Sequence, residues 1–197
     1  MSTRERLSAE DRKRQICKVA GDVFLSKGFE NTTMEDITRA AGLSKGGLYH
    51  HYKSTHDILY DIMMLGNEYR NEVITKFMTV NSYLSKKELL VETLTDKMLD
   101  RNEYKSLYAM FLLECKKNER CRELYERLKR DTFTKYKQYG EIFGKDLAKL
   151  LTSKECEVFM NAIIVAVEYL HNGSVLSEKR RFVKELITDL VEKHLNS

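Results

Sequence analysis

Residues 28–52 read GFENTTMEDITRAAGLSKGGLYHHY, and this stretch decides the fold. Thr32 and Glu35 have the spacing of a capping box, which predicts a short helix burying Met34, Ile37 and Ala41. Gly42 ends that helix, and Ser44 is placed to cap another from Lys45 to about His51. Upstream, Ser8 precedes Glu10 and Asp11, and Ile16, Val19, Ala20, Val23 and Phe24 recur at helical spacing. These predict an amphipathic helix near residues 9–27, stopped at Gly28. One longer packing helix followed by two short ones joined at Ala41-Gly42-Leu43 has the proportions of a helix-turn-helix. The second short helix opens Ser44-Lys45-Gly46-Gly47, and each glycine costs about 1 kcal/mol relative to alanine. A backbone that must approach DNA closely accounts for them; a frayed helix end is the alternative.

Outward from this segment the chain reads as helices with short polar joints. Ser54 with Asp57 starts a long helix through Ile58, Ile62, Leu65, Tyr69, Val73 and Phe77. Ser85 with Glu88 opens the next, and Tyr104, Leu107, Tyr108, Phe111 and Leu112 mark another. A longer helix carries Leu124, Leu128, Phe133 and Tyr136 and contains Gly140 and Gly144. Thr152 with Glu155 and Ser177 with Arg180 precede the last two, near 154–171 and 178–195. The 197 residues contain no proline and 9 glycines, which argues against a β-sandwich. The expectation is an all-α chain of about nine helices, with a helix-turn-helix domain at residues 1–54 and a helical domain at 55–197.

No apolar run approaches a membrane span, and the polar start Met1-Ser-Thr-Arg-Glu-Arg-Leu7 is no signal peptide, so a cytoplasmic protein is expected. Cys17, Cys115, Cys121 and Cys156 have neither zinc-site nor disulfide-framework spacing. No nucleophile elbow, phosphate loop or His-Glu-x-x-His motif is present, so no enzyme chemistry, metal or cofactor is expected. The net charge is +4, and residues 1–60 hold ten Lys/Arg against eight Asp/Glu, a surplus of two. Any affinity for DNA must therefore come from where cations are placed, with a moderate salt dependence.

The pattern Gly28-Phe29-x-x-Thr32-Thr33-Met34-x-x-Ile37-x-x-x-Ala41-Gly42-Leu43-Ser44-x-Gly46-x-Leu48-Tyr49-x-His51-Tyr52 resembles the DNA-binding signature of the tetracycline-repressor (TetR) family of bacterial regulators, over residues 10–60. The resemblance implies a homodimeric repressor of a double-stranded operator whose small-molecule effector lowers its DNA affinity. It places Thr32 and Thr33 on phosphates at a helix N-terminus, and Ser44, Lys45, Gly46 and Gly47 at the reading end of the third helix. Tyr49, His50, His51 and Lys53 then serve the phosphate backbone, with Thr55 standing where many relatives carry a lysine. Leu43, Leu48 and Tyr52 are read as core, and Arg4 and Arg6 as either a basic arm or a plain polar terminus. His50, His51 and His56 form either ordinary polar contacts or a pH-sensitive one.

The last two helices are rich in apolar residues, and Phe159, Ile163, Val167, Leu170, Phe182, Leu186 and Leu190 are the expected dimer interface. A monomer burying one of these helices in its own core fits the pattern equally; the resemblance selects the dimer. Between the two ends, Tyr69, Met98, Tyr104, Tyr108, Phe111, Phe133 and Tyr136 are candidates for a pocket taking an amphipathic or aromatic ligand. Glu114 is either an anchor for a cationic ligand, part of a buried network, or a solvent-facing partner of Lys117. Ligand entry is expected to swing the fourth helix. The competing expectation is a helical ligand-binding or interaction protein of the same fold without specific DNA binding.

Overall fold

The computed structural model describes residues 7–170 and 178–195, side chains of 133–139 excepted. The described residues form ten α-helices: α1 (Ala9–Lys27), α2 (Met34–Ala40), α3 (Lys45–His51), α4 (Thr55–Val80), α5 (Lys86–Leu99), α6 (Glu103–Lys117), α7 (Glu119–Phe143), α8 (Lys145–Thr152), α9 (Lys154–Tyr169) and α10 (Arg180–Leu195). The chain is all-α, with an N-terminal helix-turn-helix domain and a C-terminal helical domain. It forms two compact units, Met1–Leu65 and Gly66–Ser197, with the division inside α4. Arg4, Arg6, His171 and Ser177 lie outside the described residues.

Capping chemistry explains most of the helix starts. Ser8 accepts the Asp11 N–H at 3.0 Å, and Ser44 accepts the Gly47 N–H at 3.1 Å. Ser54 accepts from Asp57 at 3.2 Å, and Ser85 and Glu88 form a full capping box. Two expected caps move by one residue. The box that opens α2 is Thr33 with Asp36, because Thr33 is the residue in the extended conformation the cap requires. The cap of α9 is Ser153, which accepts the Cys156 N–H at 3.1 Å, in place of Thr152. The single helix expected through Gly140 and Gly144 is also two: Gly144 sits at φ +91°, where a Cβ would be strained, and separates α7 from α8.

In the first unit, α1 buries Ile16, Cys17, Ala20 and Phe24. Phe29, Ile37 of α2, Leu48 of α3, Tyr52, and Ile58, Leu59 and Ile62 of α4 are buried in the same unit. Phe24 and Phe29 pack edge to face with centroids 5.1 Å apart, and His56 packs on Phe29 at 4.9 Å. In the second unit α10 packs along α5, α6 lies against α7 and α9, and α8 packs against α7. Leu90, Leu94, Met98, Leu150, Ile164, Val183 and Ile187 are among its buried core. Arg180 bridges from α10 to Asp96 (2.5 Å) and Glu92 (2.7 Å) on α5, beside the pair Lys184–Glu92. Close packing fits Gly66 on α4, where a Cβ would stand 3.1 Å from the Tyr104 Cβ.

Candidate nucleic-acid interface

The sequence folds α2 and α3 into a helix-turn-helix by local means. Ala41 closes α2, Gly42 adopts φ +62°, and the Leu43 N–H donates back to the Thr38 carbonyl at 3.1 Å. The turn aims α3 so that Leu48 is fully buried, while Lys45, Gly46 and His50 are exposed. Tyr52, one residue past α3, fixes its far end. The Tyr52 hydroxyl donates to Asp61 Oδ2 at 2.8 Å, and Cys17 Sγ lies 3.3 Å from that hydroxyl. Lys13 Nζ stands 5.2 Å from the Tyr52 ring centroid and 3.5 Å from the same Asp61 oxygen. Burial pushes the Cys17 thiol up to about 11 and raises the Tyr52 phenol further above its ordinary value, so both stay protonated.

The outer surface of α3 divides into residues held by other described residues and residues that are not. Lys45 makes no hydrogen bond or ion pair among the described residues. Gly46 has open space where a Cβ would go, so no internal crowding explains its glycine. Gly47 differs: a Cβ there would come within 3.2 Å of the Ser44 hydroxyl, the α3 cap. Tyr49 is half-buried, and the Lys53 ammonium donates to its carbonyl at 2.6 Å, satisfying the C-terminal end of α3. His50 and His51 stack edge to face at 5.1 Å. Burial first, then the nearby His50, Lys13 and Arg12, lower His51 below the usual imidazole value. Thr55, partly exposed, begins α4.

The two threonines before α2 part company. Thr33 is exposed; Asp36 accepts from both its backbone N–H (2.9 Å) and its hydroxyl (2.7 Å). Thr32 is buried, and its hydroxyl donates to the Gly28 carbonyl at 2.7 Å. The expectation of Thr32 at a phosphate is corrected accordingly: its side chain closes the turn between α1 and α2. The reading of the sequence passed over Asp36, whose carboxylate also takes Lys27 Nζ at 2.6 Å. An Asp three residues after a Thr was the available signal.

Of the residues expected to meet a ligand, the structure brings together only some. Tyr69 and Arg70 help line a cavity of about 430 Å³ with Val73, Ile74, Phe77, Leu90, Leu94 and Lys97. Tyr104 and Tyr108 border a small chamber of about 30 Å³ that shares Tyr69, Arg70 and Lys97 with it. Met98 and Phe111 are fully buried and line neither of these two spaces. The Tyr108 hydroxyl donates to Asn161 (3.1 Å), which in turn donates to Tyr125 (2.9 Å), whose hydroxyl reaches Glu157 (2.6 Å). Glu114 is buried and 3.3 Å from Lys117, outside the cavity lining. The side chains of Phe133 and Tyr136 lie outside the described residues. Cys17, Cys121 and Cys156 are buried, and burial pushes the Cys115 thiol up to about 11.

At the expected dimer surface, Phe159, Ile163 and Leu190 pack partly against the chain's own core, and Val167 is half-buried. Leu170, Phe182 and Leu186 are exposed, at 63%, 51% and 39%. No helix among the described residues is long and apolar enough to cross a membrane.

Known proteins match the chain at two scales. The family model for bacterial regulatory proteins of the tetR family matches residues 16–62, the segment from α1 into α4. The uncharacterised HTH-type transcriptional regulator YfiR of Bacillus subtilis is 24% identical over 178 residues, 89% of this chain and 83% of YfiR. The HTH-type transcriptional repressor KstR2 of Mycolicibacterium smegmatis is 33% identical over 52 residues, 26% of this chain and 25% of KstR2. Among solved structures, GusR of Salmonella enterica shares the fold with a TM-score of 0.64 at 19% identity, over 95% of this chain and 96% of that one. Residues 16–62 are therefore a tetR-family DNA-binding segment, and the chain as a whole shares the fold of transcriptional regulators of that family.

Proposed function

We propose that this protein is a cytoplasmic repressor that binds a pseudopalindromic operator as a homodimer and is released by a small amphipathic or aromatic ligand. The observation that carries the reading is the surface of α3: a buried Leu48 anchor beneath an unpartnered Lys45 and an open Gly46. Lys45 reads guanine in the major groove, and the bare backbone at Gly46 and Gly47 allows close approach. Ser44, Thr33, Tyr49, His50, His51, Lys53 and Thr55 contact phosphates, and two copies of α3 enter half-sites about 34–36 Å apart. Residues 1–54 read DNA and residues 55–197 bind the ligand and the second subunit. The name of KstR2 as a repressor supports the direction of control. Ligand binding acts by favouring one of two dimer geometries.

Fluorescence anisotropy tests this on DNA from upstream of the protein's own gene, at physiological salt with excess non-specific competitor. Saturable binding that survives competitor, at two subunits or a multiple per site, is expected. Lys45→Ala is expected to relax base preference at one position, with a loss of about 1–3 kcal/mol on the preferred sequence. An unchanged preference in that variant would refute the assignment of α3.

A further inference from the structure

The cavity of the second unit is lined by three cations, Arg70, Lys97 and Arg180, and two carboxylates, Asp96 and Asp100. Their partners separate them. Arg180 is committed to Asp96 at 2.5 Å and Glu92 at 2.7 Å. Asp100 accepts from Asn102 at 2.7 Å and lies 3.4 Å from the Tyr69 hydroxyl. Arg70 and Lys97 remain, neither with a hydrogen bond or ion pair among the described residues. Both also border the small adjoining chamber. Burial, then the nearby Arg70 guanidinium, holds the Lys97 ammonium down to about 7, against an opposing contribution from Cys156. The Thr93 hydroxyl, also on the cavity lining, is buried without a hydrogen-bond partner. Two neighbouring cations at a largely apolar wall, neither in an ion pair among the described residues, are costly unless something else supplies a matching anion.

We infer that the cavity binds an amphipathic organic anion, its carboxylate or phosphate head held by Arg70 and Lys97 and its hydrocarbon body lying against Val73, Ile74, Phe77, Leu90 and Leu94. The volume of about 430 Å³ falls in the range of small-molecule sites, and an arginine fork suits either head group. A cationic ligand is disfavoured by the same two charges. The inference deepens the proposed function and rests on its assignment of residues 55–197 to ligand binding.

Isothermal titration calorimetry of the full-length protein, without DNA, with four decyl probes tests it: decanoate, decyl phosphate, decanol and decyltrimethylammonium. One of the anions is expected to bind about tenfold or more tightly than decanol, and which anion does so identifies the head group. In Arg70→Met and Lys97→Met the anion is expected to lose that advantage while decanol affinity is retained, which also shows that the variants are folded. Should either variant fail to fold, the ranking of the four probes on the unaltered protein decides. Equal binding of decanol and the anions, tighter binding of the ammonium, no binding at all, or a preference that survives both substitutions would each overturn the assignment. Because no DNA is present, failure here is separate from failure of operator binding in the anisotropy assay.

Discussion

Gly46 and Lys97 are both residues whose local cost has no return inside the chain. A glycine in the first turn of α3 weakens that helix, and the space around Gly46 would accept a methyl group. Gly46→Ala is therefore expected to stabilise the first unit by about 0.5–1 kcal/mol in urea unfolding, while weakening operator binding by anisotropy. A variant that is more stable and binds as well would show that the glycine serves no reading function. Lys97 is the counterpart in the second unit. Its folded value of about 7 lies below that of the unfolded chain, near 10.5, so between those values the unfolded state holds more protons and stability rises with pH. Lys97→Met is expected to raise stability near pH 7 by about 1 kcal/mol, roughly 2–4 °C in melting temperature, and to flatten that rise. A melting curve that responds to pH 7–10 equally in both proteins would contradict this.

At the scale of elements, α2 depends on its first turn more than on its length. Seven residues are too few to be helical alone, and only Ile37 anchors the helix in the core. The Thr33–Asp36 box and the Lys27–Asp36 pair supply what the helix lacks. Thr33→Ala is expected to cost about 1 kcal/mol. Asp36→Asn tests the charge. The Lys27 ammonium and the two Thr33 donors hold the carboxylate of Asp36 well below its ordinary value, so its stabilisation is fully present above the ordinary carboxylate range and is lost progressively as pH falls below that range toward the depressed folded value. The gap in stability between Asp36→Asn and the unaltered protein should therefore close on acidification; a gap independent of pH would exclude the ionic contribution. Starts of this kind were legible because a cap and its partner sit three residues apart. Whether Thr32 or Thr33 is the cap was not legible, since both side chains suit the role. The choice turns on which backbone is extended and which hydroxyl can reach Gly28.

At the scale of the whole molecule, α10 carries two apolar faces where its sequence reads as one broad stripe. Val183, Ile187 and Val191 are buried in the chain's own core, whereas Phe182 and Leu186 are exposed, as is Leu170 after α9. The outward residues are the ones proposed to meet a second subunit. Phe182→Glu with Leu186→Glu is expected to yield a monomer by sedimentation velocity, with helical circular dichroism retained and operator affinity sharply reduced. A double variant that remains dimeric would move the interface elsewhere. The cavity of the second unit belongs to the same scale. Arg70 recurs with Val73, Ile74 and Phe77, and Lys97 with Leu90 and Leu94, at helical spacing, so each is a charge on an apolar stripe. That pattern is legible in the sequence.

The sequence by itself determined the helix-turn-helix, because what starts and stops its helices acts within a few residues: Thr33 and Asp36 on each other, a glycine able to adopt positive φ at 42, and Ser44 on Gly47. It also determined the all-helical class, through the absence of proline and the regular return of apolar side chains. Only the tertiary structure decided which charged groups have partners. Arg180 and Asp96 stand 84 residues apart and meet because α10 packs on α5, whereas Arg70 and Lys97 on the same cavity lining make no ion pair among the described residues. A turn or a cap is a property of neighbours in the chain, whereas an unmatched charge becomes visible only when every group that could have matched it has its place.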